Sequence, residues 1–158
     1  WINNCEFTGG TGGKAAVDFE NCADSDIGNS VISSSPSAPE RIGIYFYNTH
    51  CCGVTDSTIK DNAKGIAMNS CFSTTIANNT FLTNTKNDCA FQEAYRLTIS
   101  NNKFYSALDK SLLGSRRNRY SAIYGNSFVC AEYDLLNTMT DSTTAIAEKN
   151  IFGCKAEG

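Results

Sequence analysis

The sequence predicts an all-β solenoid of parallel strands, a parallel β-helix, on three observations. A hexapeptide recurs along the whole chain every 22–27 residues, opening on Ile or Val and closing on Phe or Ile. A second apolar ladder precedes each copy, from the second onward, by ten residues. Asn, Ser and Thr supply 48 of the 158 residues. Their side chains compete with a helix for its backbone hydrogen bonds, which excludes a helical bundle.

The hexapeptides are Ile2–Phe7, Ile27–Ile32, Val54–Ile59, Ile76–Phe81, Ile99–Phe104, Ile123–Phe128 and Ile146–Ile151. Their third position holds Asn4, Asn29, Asp56, Asn78, Asn101, Gly125 and Glu148. Asn there suits a tight bend between two strands, because it tolerates the left-handed backbone and its amide can bond to neighbours above and below. The preceding ladder runs Val17, Ile44, Ile66, Cys89, Leu113 and Leu136. Two residues after each come Phe19, Phe46, Met68, Phe91, Ser115 and Thr138. This alternation marks short strands with one buried face. Length varies only between the hexapeptide and the next ladder, so insertions emerge on one side of a stack of coils. About seven coils of 22–27 residues use up the chain. Residues 1–158 therefore read as one domain, a piece of a longer chain without end caps of its own.

Segments such as Leu97-Thr-Ile-Ser-Asn-Asn-Lys-Phe104 resemble the generic repeat of the right-handed parallel β-helix superfamily, the pectin-lyase-like fold. The resemblance implies a right-handed, single-stranded helix with a polysaccharide groove along one sheet, beside the variable loops. The superfamily's pectinase signatures are missing; Trp1-Ile2-Asn3-Asn4 matches Trp-Ile-Asp-His only superficially. Within the superfamily the chain most resembles a bacteriophage tailspike segment. That implies a homotrimer or other capping chains, and a virion, secreted or cell-surface protein. Its role would be to bind, and in the enzymatic case depolymerise, bacterial surface polysaccharide by hydrolysis or elimination. The alternative is a non-catalytic structural or adhesive β-helix.

Outward positions of the second ladder's strands form a stripe across the coils. Its chemistry-bearing members are Asp18, Glu20, Tyr45, Tyr47, Asn69, Gln92 and Arg116, and Gly114 falls on the same stripe. Tyr45, Tyr47, Asn69, Gln92 and Arg116 are the expected substrate-binding set, since aromatic faces pack on sugar rings while amides and Arg fix orientation. Asp18 and Glu20, two apart on one strand face, are the expected catalytic pair, because glycoside hydrolysis uses two carboxyl groups. The connection from Ser33 to Arg41 should overhang Tyr45 and Tyr47.

The eight Cys do not follow a disulfide framework. Cys22 and Cys71 share a register position with Thr49 between them, too far apart for a bridge, and Cys52 and Cys89 face inward as small apolar residues. No zinc spacing is present, so no metal and no cofactor is expected. A net charge of −3 argues against a nucleic-acid partner. No apolar run is long enough for a membrane span, and no signal peptide shows.

Overall fold

The computed structural model describes residues 1–8, 14–34, 40–106, 111–114, 117–128, 143–148 and 151–152. They form a parallel β-solenoid with three faces and no helix. The isoleucine face stacks seven strands: Ile2–Asn3, Asp26–Gly28, Gly53–Thr55, Thr75–Ala77, Thr98–Ser100, Arg119–Tyr124 and Thr143–Glu148. The phenylalanine face also stacks seven: Glu6–Thr8, Val31–Ser33, Thr58–Lys60, Thr80–Leu82, Lys103–Phe104, Ser127–Phe128 and Ile151–Phe152. A third face holds five: Ala15–Glu20, Ile42–Tyr47, Lys64–Asn69, Asn87–Gln92 and Leu112–Gly114. Five turns thus carry a strand on every face.

The core is made of columns. Ile27, Val54, Ile76, Ile99 and Ile123 pair in register on the isoleucine face, each essentially inaccessible. On the phenylalanine face, Phe81, Phe104 and Phe128 stack with centroids 4.8 and 4.7 Å apart. Phe19 stacks on Phe46 at 5.0 Å on the third face. A rung spacing of about 4.8 Å brings like rings to stacking distance, so the repeat itself creates the contact.

Three registers differ from the sequence expectation by one residue. Ile123 pairs with Ala147, leaving Ile146 opposite Ala122, and Phe128 pairs with Phe152 rather than leading to Ile151. Likewise Leu112, not Leu113, follows Cys89 into the core, and Gly114 lies inward against Phe91 instead of on the outward stripe. Two adjacent Leu make either register apolar, and the glycine decides between them. A Cβ at Gly114 would meet Phe91 Cε2 at 2.9 Å, so only glycine fits beneath that ring.

The third hexapeptide position bends as expected. Asn4, Asn29, Asp56, Asn78 and Asn101 have φ between 48° and 59°, and Gly125 has 65°. The main amide ladder, however, runs through the fourth position. Asn126 Oδ1 accepts from the Asn102 backbone N–H at 2.9 Å, and Asn102 Oδ1 accepts from that of Asn79 at 2.9 Å. Asn79 Oδ1 accepts from Ser57 N–H at 2.9 Å, and Ser57 and Ser30 hydroxyls extend the ladder to Cys5. These side chains are buried and take up N–H groups that the bend removes from the sheets.

Cys5, Cys22, Cys51, Cys52, Cys71 and Cys89 are all unbridged, while Cys130 and Cys154 lie outside the described residues. Thr49, fully buried, occupies the rung between Cys22 and Cys71. Burial pushes the Cys52, Cys71 and Cys89 thiols up, and the neighbouring Asp88 carboxylate adds to the shift at Cys89.

Candidate functional site

The third face positions the candidate site. Its outward residues form two rows in register. One runs Asp18, Tyr45, Ala67, Ala90 and Leu113; the other runs Glu20, Tyr47, Asn69 and Gln92. A groove of about 330 Å³ opens on this face. Ala67 and Ala90 are the small residues of its lining, Tyr45 borders it, and Asn69 and Gln92 supply amides. The concavity follows from side-chain size: Ala on two adjacent rungs, with Tyr before them and Leu after them, leaves a trough across parallel strands.

Three of the expected binding residues, Tyr45, Asn69 and Gln92, thus meet at one groove. Tyr47 is not among the lining residues and is 39 % exposed, whereas Tyr45 is only 8 % exposed. The two rings lie nearly parallel, 6.3 Å apart. Asp18 and Glu20 are both exposed and belong to the rung beyond the tyrosines, paired with Tyr45 and Tyr47, and neither lines the groove. Arg116 lies outside the described residues, as does most of the loop expected to overhang the tyrosines. The expected place of Arg116 on the stripe rests on an inward Leu113, and Leu112 occupies that place.

Sequence reasoning missed Lys14 and Lys64, which also line the groove. Lys14 Nζ stands 3.4 Å from the centroid of the Tyr45 ring. Lys64 pairs with Ile42, and even spacing from Ile66 and Ile44 would turn both inward. Instead both line the groove, because alternation is interrupted at the next position. Gly43, Gly65 and Asp88 are buried there. The signal was present in the glycines: a Cβ at Gly43 or Gly65 would meet the next strand's carbonyl oxygen at 2.6 Å. Asp88 sits under the same corner. Its Oδ1 accepts from Asn84 Nδ2 at 2.8 Å and from Ser106 Oγ, while Oδ2 is buried without a hydrogen bond. Burial raises the Asp88 carboxyl above the usual range, partly opposed by Ser106, Asn84 and Ser111.

A second aromatic surface runs along the corner between the third and isoleucine faces. His50 stacks on Phe72 at 5.0 Å, Phe72 lies 5.2 Å from Tyr95, and Tyr95 meets Tyr120 edge-on at 5.1 Å. These rings contact one another from rung to rung along the solenoid axis, which makes the corner a structural ladder.

The chain matches, over residues 2–155, the family described as periplasmic copper-binding protein (NosD). It belongs to the NosD family. A search of curated proteins finds no match. Among solved structures, this NosD-family chain is similar to a candidate glycosyl hydrolase from Parabacteroides merdae ATCC 43184. The two share 13 % identity at a TM-score of 0.69, over 93 % of this chain and 82 % of that one. At that identity the likeness shows the fold. Family and neighbour support the parallel β-helix superfamily, and neither carries the tailspike reading.

Proposed function

We propose that this NosD-family chain is a glycan-binding β-helix that acts outside the cytoplasm through the groove of its third face. The single observation that carries this is the groove's construction. An alanine-floored trough runs across parallel strands, with a tyrosine at one side and the amides of Asn69 and Gln92 on successive rungs. Sugars need this combination of apolar surface and fixed hydrogen-bond partners. The family's periplasmic description and the neighbour's description as a candidate glycosyl hydrolase support the location and ligand class. Among the described residues no helix is long and apolar enough to cross a membrane.

Copper, which the family's description names, does not fit the described residues. No three His, Cys, Asp or Glu side chains among them are placed to hold a metal ion. Desolvation raises the buried Cys52 and Cys71 thiols, so the proton that metal ligation must displace is held more tightly there.

Binding is tested by oligosaccharide titration of Asn69→Ala and Gln92→Ala. Each variant should lose about fivefold in affinity, the worth of one net hydrogen bond of about 1 kcal/mol, with unchanged stability. Undiminished binding in both variants would remove the ligand from the groove. Hydrolysis is the second reading, favoured by Asp18 and Glu20 standing side by side on one strand next to the tyrosines. Under it, Glu20→Gln abolishes cleavage and spares binding; cleavage retained in that variant overturns it.

A further inference from the structure

We infer that Lys14 is the specificity-determining residue of this groove, and that it selects saccharides carrying an anionic substituent, a carboxylate or a sulfate. The inference rests on the glycan reading of the groove and deepens it.

The groove is cationic within an acidic chain. Lys14 and Lys64 line it and no Asp or Glu does, although the protein's net charge is −3. Among the described residues, neither lysine enters an ion pair, whereas the nearby Lys86 is neutralised by Glu40. Ala15, next to Lys14, pairs with Ile42, and Ile42 pairs with Lys64. The two lysines therefore enter from strands two rungs apart, about 10 Å. A charge at each position addresses a different unit of an extended chain.

Lys14 is distinguished from Lys64 by what it covers. Its ammonium sits on a face of Tyr45, and both groups line the groove, so the lysine occupies ring surface that a sugar would stack on. Lys14 itself is exposed, so its ammonium stays hydrated on the solvent side of the cation–π contact and little is lost when the flexible side chain swings away. What the ammonium gains afterwards depends on the ligand. An acidic saccharide offers a carboxylate or sulfate to pair with and leaves the uncovered ring for its own apolar face. A neutral saccharide must displace the lysine and returns only hydration. One side chain therefore penalises neutral ligands and rewards acidic ones, the combination from which specificity is built.

The experiment is calorimetric titration of wild type, Lys14→Ala and Lys14→Arg with matched probes. These are cellotetraose and galactotetraose, their C6-carboxylate counterparts, and a 6-O-sulfated cellotetraose. Lys14 is exposed, so its removal leaves the fold intact, which circular dichroism checks. Wild type should prefer the anionic probes about tenfold, with the carboxylate and sulfate arms deciding which group is favoured. Lys14→Ala should weaken the anionic probes about fivefold and tighten the neutral ones about twofold, with Lys14→Arg close to wild type. Opposite signs for the two probe classes are the signature. Equal weakening of both, or an unchanged preference in Lys14→Ala, overturns the role of Lys14 and leaves the glycan groove standing. No binding of any probe to wild type overturns the glycan reading and this inference together.

Discussion

Phe104 is the most informative single residue for the core. Its ring is fully buried between Phe81 and Phe128, with centroids at 4.8 and 4.7 Å. Truncation to Ala removes about 2–3 kcal/mol of transfer free energy. It also leaves a cavity on the order of 100 Å³, which at ~24 cal/mol per Å³ adds about 2 kcal/mol. The rings above and below are held by backbone ladders on either side, so collapse into the space is limited. The expected loss is therefore about 4–5 kcal/mol, at the upper end for a buried aromatic. Tyr105, the next residue, is 43 % exposed and serves as the control; its change to Ala should cost less than about 1 kcal/mol. Urea unfolding monitored by circular dichroism measures both. Because a solenoid can open locally, amide exchange at Phe81 and Phe128 should be read alongside. A loss below about 1 kcal/mol for Phe104→Ala, or one equal to that of Tyr105→Ala, would refute the stacked column.

Other consequences follow from the polar interior. Asn102→Ala strips the partner from the Asn79 backbone N–H and from the Ile76 carbonyl, and urea unfolding should show a loss of about 2–4 kcal/mol. At Asp88 burial raises the folded carboxyl, so the folded state binds the proton more tightly than the unfolded chain. Its contribution is fully present below the ordinary carboxylate range and is lost as pH rises from about 4 through the raised value. The stability of Asp88→Asn relative to wild type should therefore grow with pH across that window; a difference independent of pH would contradict the buried carboxyl. Among the described thiols, Cys5 and Cys51 are exposed and should react with Ellman's reagent in the native protein. Cys52, Cys71 and Cys89 should react only on unfolding, and protection of Cys5 or reaction of Cys89 in the native state would contradict the register.

The fold was legible because the repeat is written in large side chains. Ile and Phe at fixed hexapeptide positions can be buried only if the coils superpose, and the left-handed bends at Asn29, Asn78 and Asn101 reinforce the same frame. The one-residue slips came where that signal is degenerate. Leu112 and Leu113 are interchangeable to a hydrophobicity count, and Ile146 looks like a ladder residue beside Ala147. At the leucines only packing, Gly114 under Phe91, separates the alternatives. Asn at the third position signals both bend and amide ladder, yet Asn102 and Asn126 carry the ladder at the fourth, because adjacent residues divide bending and bonding between them. At the site, strict alternation found Tyr45, Asn69 and Gln92. It could not find Lys14, which lies before the strand, or Lys64, whose direction depends on the interruption at Gly65.

The central claim is that a saccharide occupies the groove across the third face, and its most direct test is a ¹⁵N–¹H correlation titration of the folded protein with an acidic oligosaccharide. The account predicts saturable shifts at Ala67, Asn69, Ala90 and Gln92, with the isoleucine and phenylalanine faces unmoved. Shifts centred instead on His50, Phe72 and Tyr95, or no saturable shifts at all, would contradict it.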